Sequence, residues 1–144
     1  MLKGISPLLS PELLATLCRM GHGEEIVFAD AHFPSHEFND NVIRADGLSI
    51  PDLLDAVLPL FELDAYDPSP VLTMDAVEGD CLDPKVERAY AESIARHSDL
   101  NPSLSRLERY AYYERVRKAH AVVATGDTNK YANIILKKGV TPRQ

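Results

Sequence analysis

The sequence predicts an α/β fold: one layered domain, residues 1–144, with a mostly parallel or mixed sheet flanked by helices. Three observations carry that expectation. Short apolar runs alternate with amphipathic segments along the whole chain, the pattern of layered α/β domains. Several of the amphipathic segments open on a capping residue followed by proline or an acid, a helix-start signal. At 144 residues and 45% hydrophobic composition, the chain is large enough to bury a real core without a second domain.

Taken in order, Ser10-Pro11-Glu12 places an N-cap, a first-turn proline and an acid at the positive end of a helix. Leu13, Leu14, Leu17 and Met20 give that helix its apolar face, and Gly21 is expected to end it. Residues 25–29 are too short for a helix and do not alternate, which fits a strand covered on both faces. Phe33-Pro34 and Asn39-Asp40-Asn41 mark an irregular loop, and residues 42–47 a second strand with its turn. Ser49-x-x-Asp52 resembles a capping box, opening a helix with Leu53, Leu54, Val57, Leu58 and Phe61 inward. After a proline-rich connection at 63–70, residues 71–77 alternate as a third strand. Asp83-Pro84 starts a third amphipathic helix through Val86, Ala89, Tyr90 and Ile94. Beyond it lie a short strand near 104–109, a helix near 110–119, and strands at 121–125 and 133–138.

The net charge of −7 opposes nucleic acid and anionic membrane as partners, since both would be repelled at long range. No window approaches the roughly 18 apolar residues of a membrane span, and the N-terminus lacks a signal-peptide apolar region. Cys18 and Cys81 form no motif, so a reducing, cytoplasmic setting is expected.

Four groups of residues can carry chemistry. His22, between Gly21 and Gly23, is of the residue type best suited to proton exchange in the neutral range and is an acid–base candidate; alternatively it caps the preceding helix. Asp30, at the exit of the 25–29 strand, stands where α/β sheets bind ligands, or else caps its own loop. With His32 and His36 these two residues offer metal-type donors, but Pro34 separates the later histidines and no ligand spacing is present, so no metal is expected. Tyr110, Tyr112 and Tyr113 with Arg109 and Arg115 suit stacking on a sugar face, and core packing accounts for at least one of the three. Tyr131-Ala132-Asn133 brings a phenol and an amide to a turn, groups that suit a polyol.

Several segments together resemble the ribose pyranase / fucose mutarotase family, over nearly the whole chain. They are Leu8-Leu-Ser-Pro-Glu-Leu-Leu14, Met20-Gly-His-Gly-Glu-Glu-Ile-Val27, Ala29-Asp-Ala-His-Phe-Pro34, Ile43-Arg-Ala-Asp-Gly-Leu48, Tyr112-Tyr-Glu-Arg115, Val123-Ala-Thr-Gly126 and the stretch from Tyr131 to Val140. The Tyr-Glu-Arg segment and the Phe-Pro after Asp30 are similar to the fucose-type branch.

The resemblance implies a ribose pyranase-like fold and cofactor-free interconversion of the α and β anomers of L-fucose through ring opening. It implies His22 as the catalytic histidine and Tyr113 as a tyrosine for binding or proton transfer. Asp30, Asp64, Arg109, Tyr131, Ala132 and Asn133 match its substrate-binding positions, Asp64 through the animal members. Asp30 is expected to hold His22 or a sugar hydroxyl. Ala132 stands where fucose-type members commonly have glycine and ribose-type members alanine. The alternatives are therefore a D-ribose pyranase-type isomerase and a non-catalytic sugar-binding protein. Family members form rings, often stacked as decamers, so a homo-oligomer with a monosaccharide substrate is implied, some site residues serving a neighbouring subunit.

Overall fold

In the computed structural model, which describes residues 1–143, the chain forms α1 (Pro11–Arg19), β1 (Glu25–Ala29), α2 (Ser35–Phe38), β2 (Val42–Ala45), α3 (Ile50–Val57), β3 (Val71–Met74), α4 (Pro84–His97), β4 (Ser105–Leu107), α5 (Arg109–Lys118), β5 (Ala121–Thr125) and β6 (Ile134–Lys137). A 3-10 turn, Leu58–Leu60, extends α3. The strands make one six-stranded mixed sheet in the order β2-β5-β1-β6-β3-β4. β2, β5, β1, β3 and β4 run one way, and β6 alone runs against them.

The predicted caps form as the residue types require. The hydroxyl of Ser10 accepts from Leu13 N–H, that of Ser49 from Asp52 N–H, and the Asp83 carboxylate from Lys85 N–H. Each such cap satisfies an orphan helix donor and contributes about 1 kcal/mol. The sheet is covered on both faces. Ile26 and Phe28 pack with Leu13 and Leu17 of α1, Leu53 and Leu54 of α3, and Tyr90 and Ile94 of α4. Val27 and Ala29, pointing the other way, pack with Tyr112 and Val116 of α5, with Phe33 and Phe38 beside them. This two-sided burial is why β1 reads as an unbroken apolar run.

Three expectations are corrected. The loop after Phe33-Pro34 contains the one-turn helix α2, which starts just past the proline because a proline restricts the residue before it and leaves the next ones free to turn. Met74 ends β3 three residues early, and all four of its residues are buried, so it is an inner strand without alternation. α1 stops at Arg19, before Gly21, with Met20 already extended.

Beyond β5, Gly126 lies against the turn after β2. A methyl group on it would stand 2.6 Å from the Gly47 backbone nitrogen. Gly126→Ala is therefore expected to destabilise the fold by about 1–3 kcal/mol through overpacking. A urea unfolding midpoint equal to that of the parent chain would contradict this.

Candidate active site

β1 separates two groups of the predicted residues. His22 lies on the turn before the strand and Asp30 directly after it, and the five β1 residues alone span about 16 Å. Asp30 does not hold His22 within one chain. That place is taken by Asp64, whose Oδ1 lies 3.1 Å from His22 Nε2.

At the His22 end, Gly23 has φ 86° and donates its N–H to Lys138 O at 2.8 Å, seating the Gly-His-Gly turn on the end of β6. Asp64 is tied to the same strand, its N–H donating to Lys137 O at 3.1 Å. Its Oδ1 also accepts from Tyr66 N–H at 3.0 Å. Gly139 makes the approach possible, since a side chain there would collide with the Leu63–Asp64 backbone. The Asp64 side chain is 6% exposed and that of His22 47%. With Nε2 engaged by the carboxylate, the opposite ring nitrogen is left for a ligand, as when a carboxylate orients a general base. Tyr66 stands beside the imidazole, ring centroids 5.5 Å apart. The helix-capping alternative for His22 gives way to this pairing.

At the other end, Asp30 and Asn133 close a buried pair across β1 and β6. Asp30 N–H donates to Asn133 Oδ1 at 3.0 Å, and Asn133 Nδ2 donates to Asp30 Oδ2 at 3.1 Å. Asp30 Oδ1 accepts from His32 N–H at 2.8 Å, so the loop-capping role is also real. A shallow cavity of about 190 Å³ opens here, lined among others by Asp30, Phe33, Met74, Tyr113, Tyr131 and Asn133. Tyr113 stacks on Phe38 at 4.4 Å and its oxygen accepts from Arg109 Nε at 3.0 Å. Tyr131 adopts φ 56°, a left-handed conformation that side chains avoid. Its hydroxyl donates to Asp80 Oδ2 at 3.0 Å.

The structure thus gathers Asp30, Tyr113, Tyr131 and Asn133 around one cavity, with Arg109 reaching it through Tyr113. Ala132 is fully buried in the core cluster between sheet and helices, so its side chain does not face the cavity. Tyr112 is the core tyrosine of the three, and Tyr110 is exposed. Among the described residues no group of three or more His, Cys, Asp or Glu side chains is arranged to hold a metal. Cys18 and Cys81 are free and exposed, and no helix among those residues is long and apolar enough to cross a membrane. Sequence reasoning missed Phe38, which supports Tyr113, and Asp80, which anchors Tyr131. Neither has a signal beyond an aromatic next to a turn and an acid in a glycine turn.

Burial raises the Asp30 carboxyl above the ordinary aspartate range, while the His32 N–H, the Asn133 amide and the nearby His32 ring pull it partly back. Because the folded value is raised, folding favours the protonated form. The contribution is complete below the unfolded value and is lost as pH rises through the folded one. Carbon-13 NMR of the Asp30 carboxyl is expected to show a titration above that of a free aspartate; one at or below it would contradict the buried geometry.

A model of the RbsD / FucU transport protein family matches residues 3–141. An L-fucose mutarotase of Haemophilus influenzae strain 86-028NP is 60% identical over 142 residues, 99% of this chain and 99% of that one. The crystal structure of the fucose mutarotase in complex with L-fucose from Streptococcus pneumoniae superposes with a TM-score of 0.92 at 48% identity, covering 98% of this chain and all of that one. FucU from Bifidobacterium longum gives 0.92 at 40% identity over 97% of this chain and all of that one. Two glycines frame the histidine, an aspartate–asparagine pair links the adjoining ends of β1 and β6, and full-length relatives share both the sequence and the fold: the chain belongs to the RbsD / FucU family.

Proposed function

We propose that this chain, acting over residues 1–144 as one catalytic domain, interconverts the α and β anomers of L-fucose without a cofactor. The observation that carries the reading is the pairing of a carboxylate-held histidine with a separate buried Asp30–Asn133 cradle walled by Tyr113 and Tyr131. Full-length relatives at 60% identity bear the name L-fucose mutarotase, and the Streptococcus pneumoniae relative was solved with L-fucose.

Anomer exchange needs a proton removed from the anomeric hydroxyl and one delivered to the ring oxygen. The ring opens to the aldehyde, which rotates and closes on its other face. His22, oriented by Asp64, exchanges the proton through its outward ring nitrogen. Tyr113 is the opposite partner: its oxygen already accepts from Arg109, which leaves the phenolic hydrogen free to donate. Asp30 and Asn133 hold sugar hydroxyls, the carboxylate accepting and the amide doing either. Ala132 shapes the turn from within, so sugar choice at this position acts through the backbone of Tyr131 and Asn133.

The two groups sit at opposite ends of the same strand, so one chain holds two half-sites. A complete site forms where the His22 end of one copy meets the Asp30 cavity of another, an arrangement that a closed ring repeats at every contact. We read the working protein as such a ring, stacked to a decamer, in the cytoplasm, where its two exposed thiols suit the reducing setting.

Saturation-transfer NMR on L-fucose and D-ribose tests the substrate: enhanced exchange is expected with L-fucose, and enhancement confined to D-ribose assigns the pyranase-type activity instead. His22→Ala is expected to lower exchange by about 10²–10⁴ while sugar binding persists; undiminished exchange leaves only a binding role. Mixing inactive His22→Ala and Asp30→Ala chains before reassembly is expected to restore about one quarter of the activity, the share of contacts that random pairing makes intact. No recovery at all places both halves in one chain's site and sinks the shared-site reading.

A further inference from the structure

The segment between β3 and α4 crosses beside the cavity and is fastened to Tyr131 at two points. Val77 N–H donates to the Tyr131 oxygen at 3.4 Å, and Tyr131 donates its own hydrogen to Asp80 Oδ2 at 3.0 Å. Lys130 Nζ reaches the same Oδ2 at 2.7 Å, and Cys81 N–H donates to Oδ1 at 2.9 Å. We propose that Asp80 is a positioning residue for sugar binding, which takes the phenolic proton of Tyr131 in a hydrogen bond and so turns its oxygen into an acceptor aimed at a sugar hydroxyl. This rests on the reading of the cavity as the L-fucose site.

A phenol has one hydrogen and two acceptor positions. Asp80 uses the hydrogen and Val77 one acceptor position, leaving the other for the ligand. Without the carboxylate, the phenolic hydrogen can occupy either position that Val77 leaves open and presents donor and acceptor to the cavity in turn, so an ordered contact is lost. Lys130, the Cys81 N–H and Tyr131 hold the Asp80 carboxyl down at about 2, so it remains an acceptor throughout the neutral range. Tyr131 needs such an anchor more than most residues. Its backbone is left-handed, and the turn bearing it also carries Asn133, which pairs with Asp30. Asp80 thereby connects an otherwise peripheral glycine turn to the pair at the centre of the cavity.

Asp80→Ala is expected to raise KM for L-fucose about tenfold, the worth of one ordered hydrogen bond, with kcat changed less than about threefold. Asp80→Ser, which keeps a polar cap for the Cys81 N–H but cannot reach Tyr131, is expected to behave alike. Asp80→Asn, which retains an acceptor, is expected to restore most of the affinity. Tyr131→Phe should raise KM similarly, and adding Asp80→Ala to it should change nothing more. Full additivity in the double variant, or parental KM in both Asp80→Ala and Asp80→Ser, overturns the assignment of Asp80 alone. Absence of L-fucose exchange in the parental protein overturns the reading beneath it.

Discussion

The antiparallel ladder between β1 and β6 is the constraint on which both groups of candidate residues depend. Phe28 pairs with Ile134 at one end and Glu25 with Lys137 at the other. One residue beyond the first pair lies Asn133, whose amide is delivered to Asp30. At the far end Lys137 and Lys138 offer carbonyls that seat Asp64 and Gly23, and so set the carboxylate against the histidine. Among the described residues, β6 is also the only reversed strand of the sheet. A parallel strand in its place would carry residues 137–138 to the Asp30 end and break both the His22–Asp64 and the Asp30–Asn133 pairings.

Electrostatics differ between the two ends in a way that suits separate tasks. Asp30 is buried and costs free energy to ionise, a cost that two hydrogen bonds from fixed donors offset in part. Its partners hold the carboxyl in one orientation. His22 is half exposed and held at only one nitrogen, which leaves the other open to a ligand or solvent. Arg115 clamps Glu25 through two hydrogen bonds, at 3.0 and 2.6 Å, and fastens α5 to the start of β1. Because α5 also carries Arg109 and Tyr113, the helix bearing one wall of the cavity is anchored near the opposite end of the sheet.

Much of the fold is legible in the chain. Ser10-Pro11, Ser49-x-x-Asp52 and Asp83-Pro84 announce their helices because capping is a local exchange of hydrogen bonds within four residues. The bounds of β1 and β5 are readable because both faces are buried and the apolar runs are unbroken. The helix α2 escapes such reading because a single turn has no periodicity, and β3 reads too long because Asp75 and Ala76 continue an apparent alternation outside the sheet.

The candidate residues are legible by type and by resemblance, but not their grouping. His22, Asp30 and Asp64 read as one set, and only folding divides them, since a rigid strand keeps its two ends apart while a crossing strand brings residues 42 positions distant to within 3.1 Å. Asp80 lies 51 residues from Tyr131, and no local pattern marks the contact. The alternating elements, the caps and the chemical types available can be read along the chain, because these depend on near neighbours in it. Strand order, the reversal of β6 and the partner of each carboxylate were decided by tertiary structure, because they depend on which distant faces must be buried against one another.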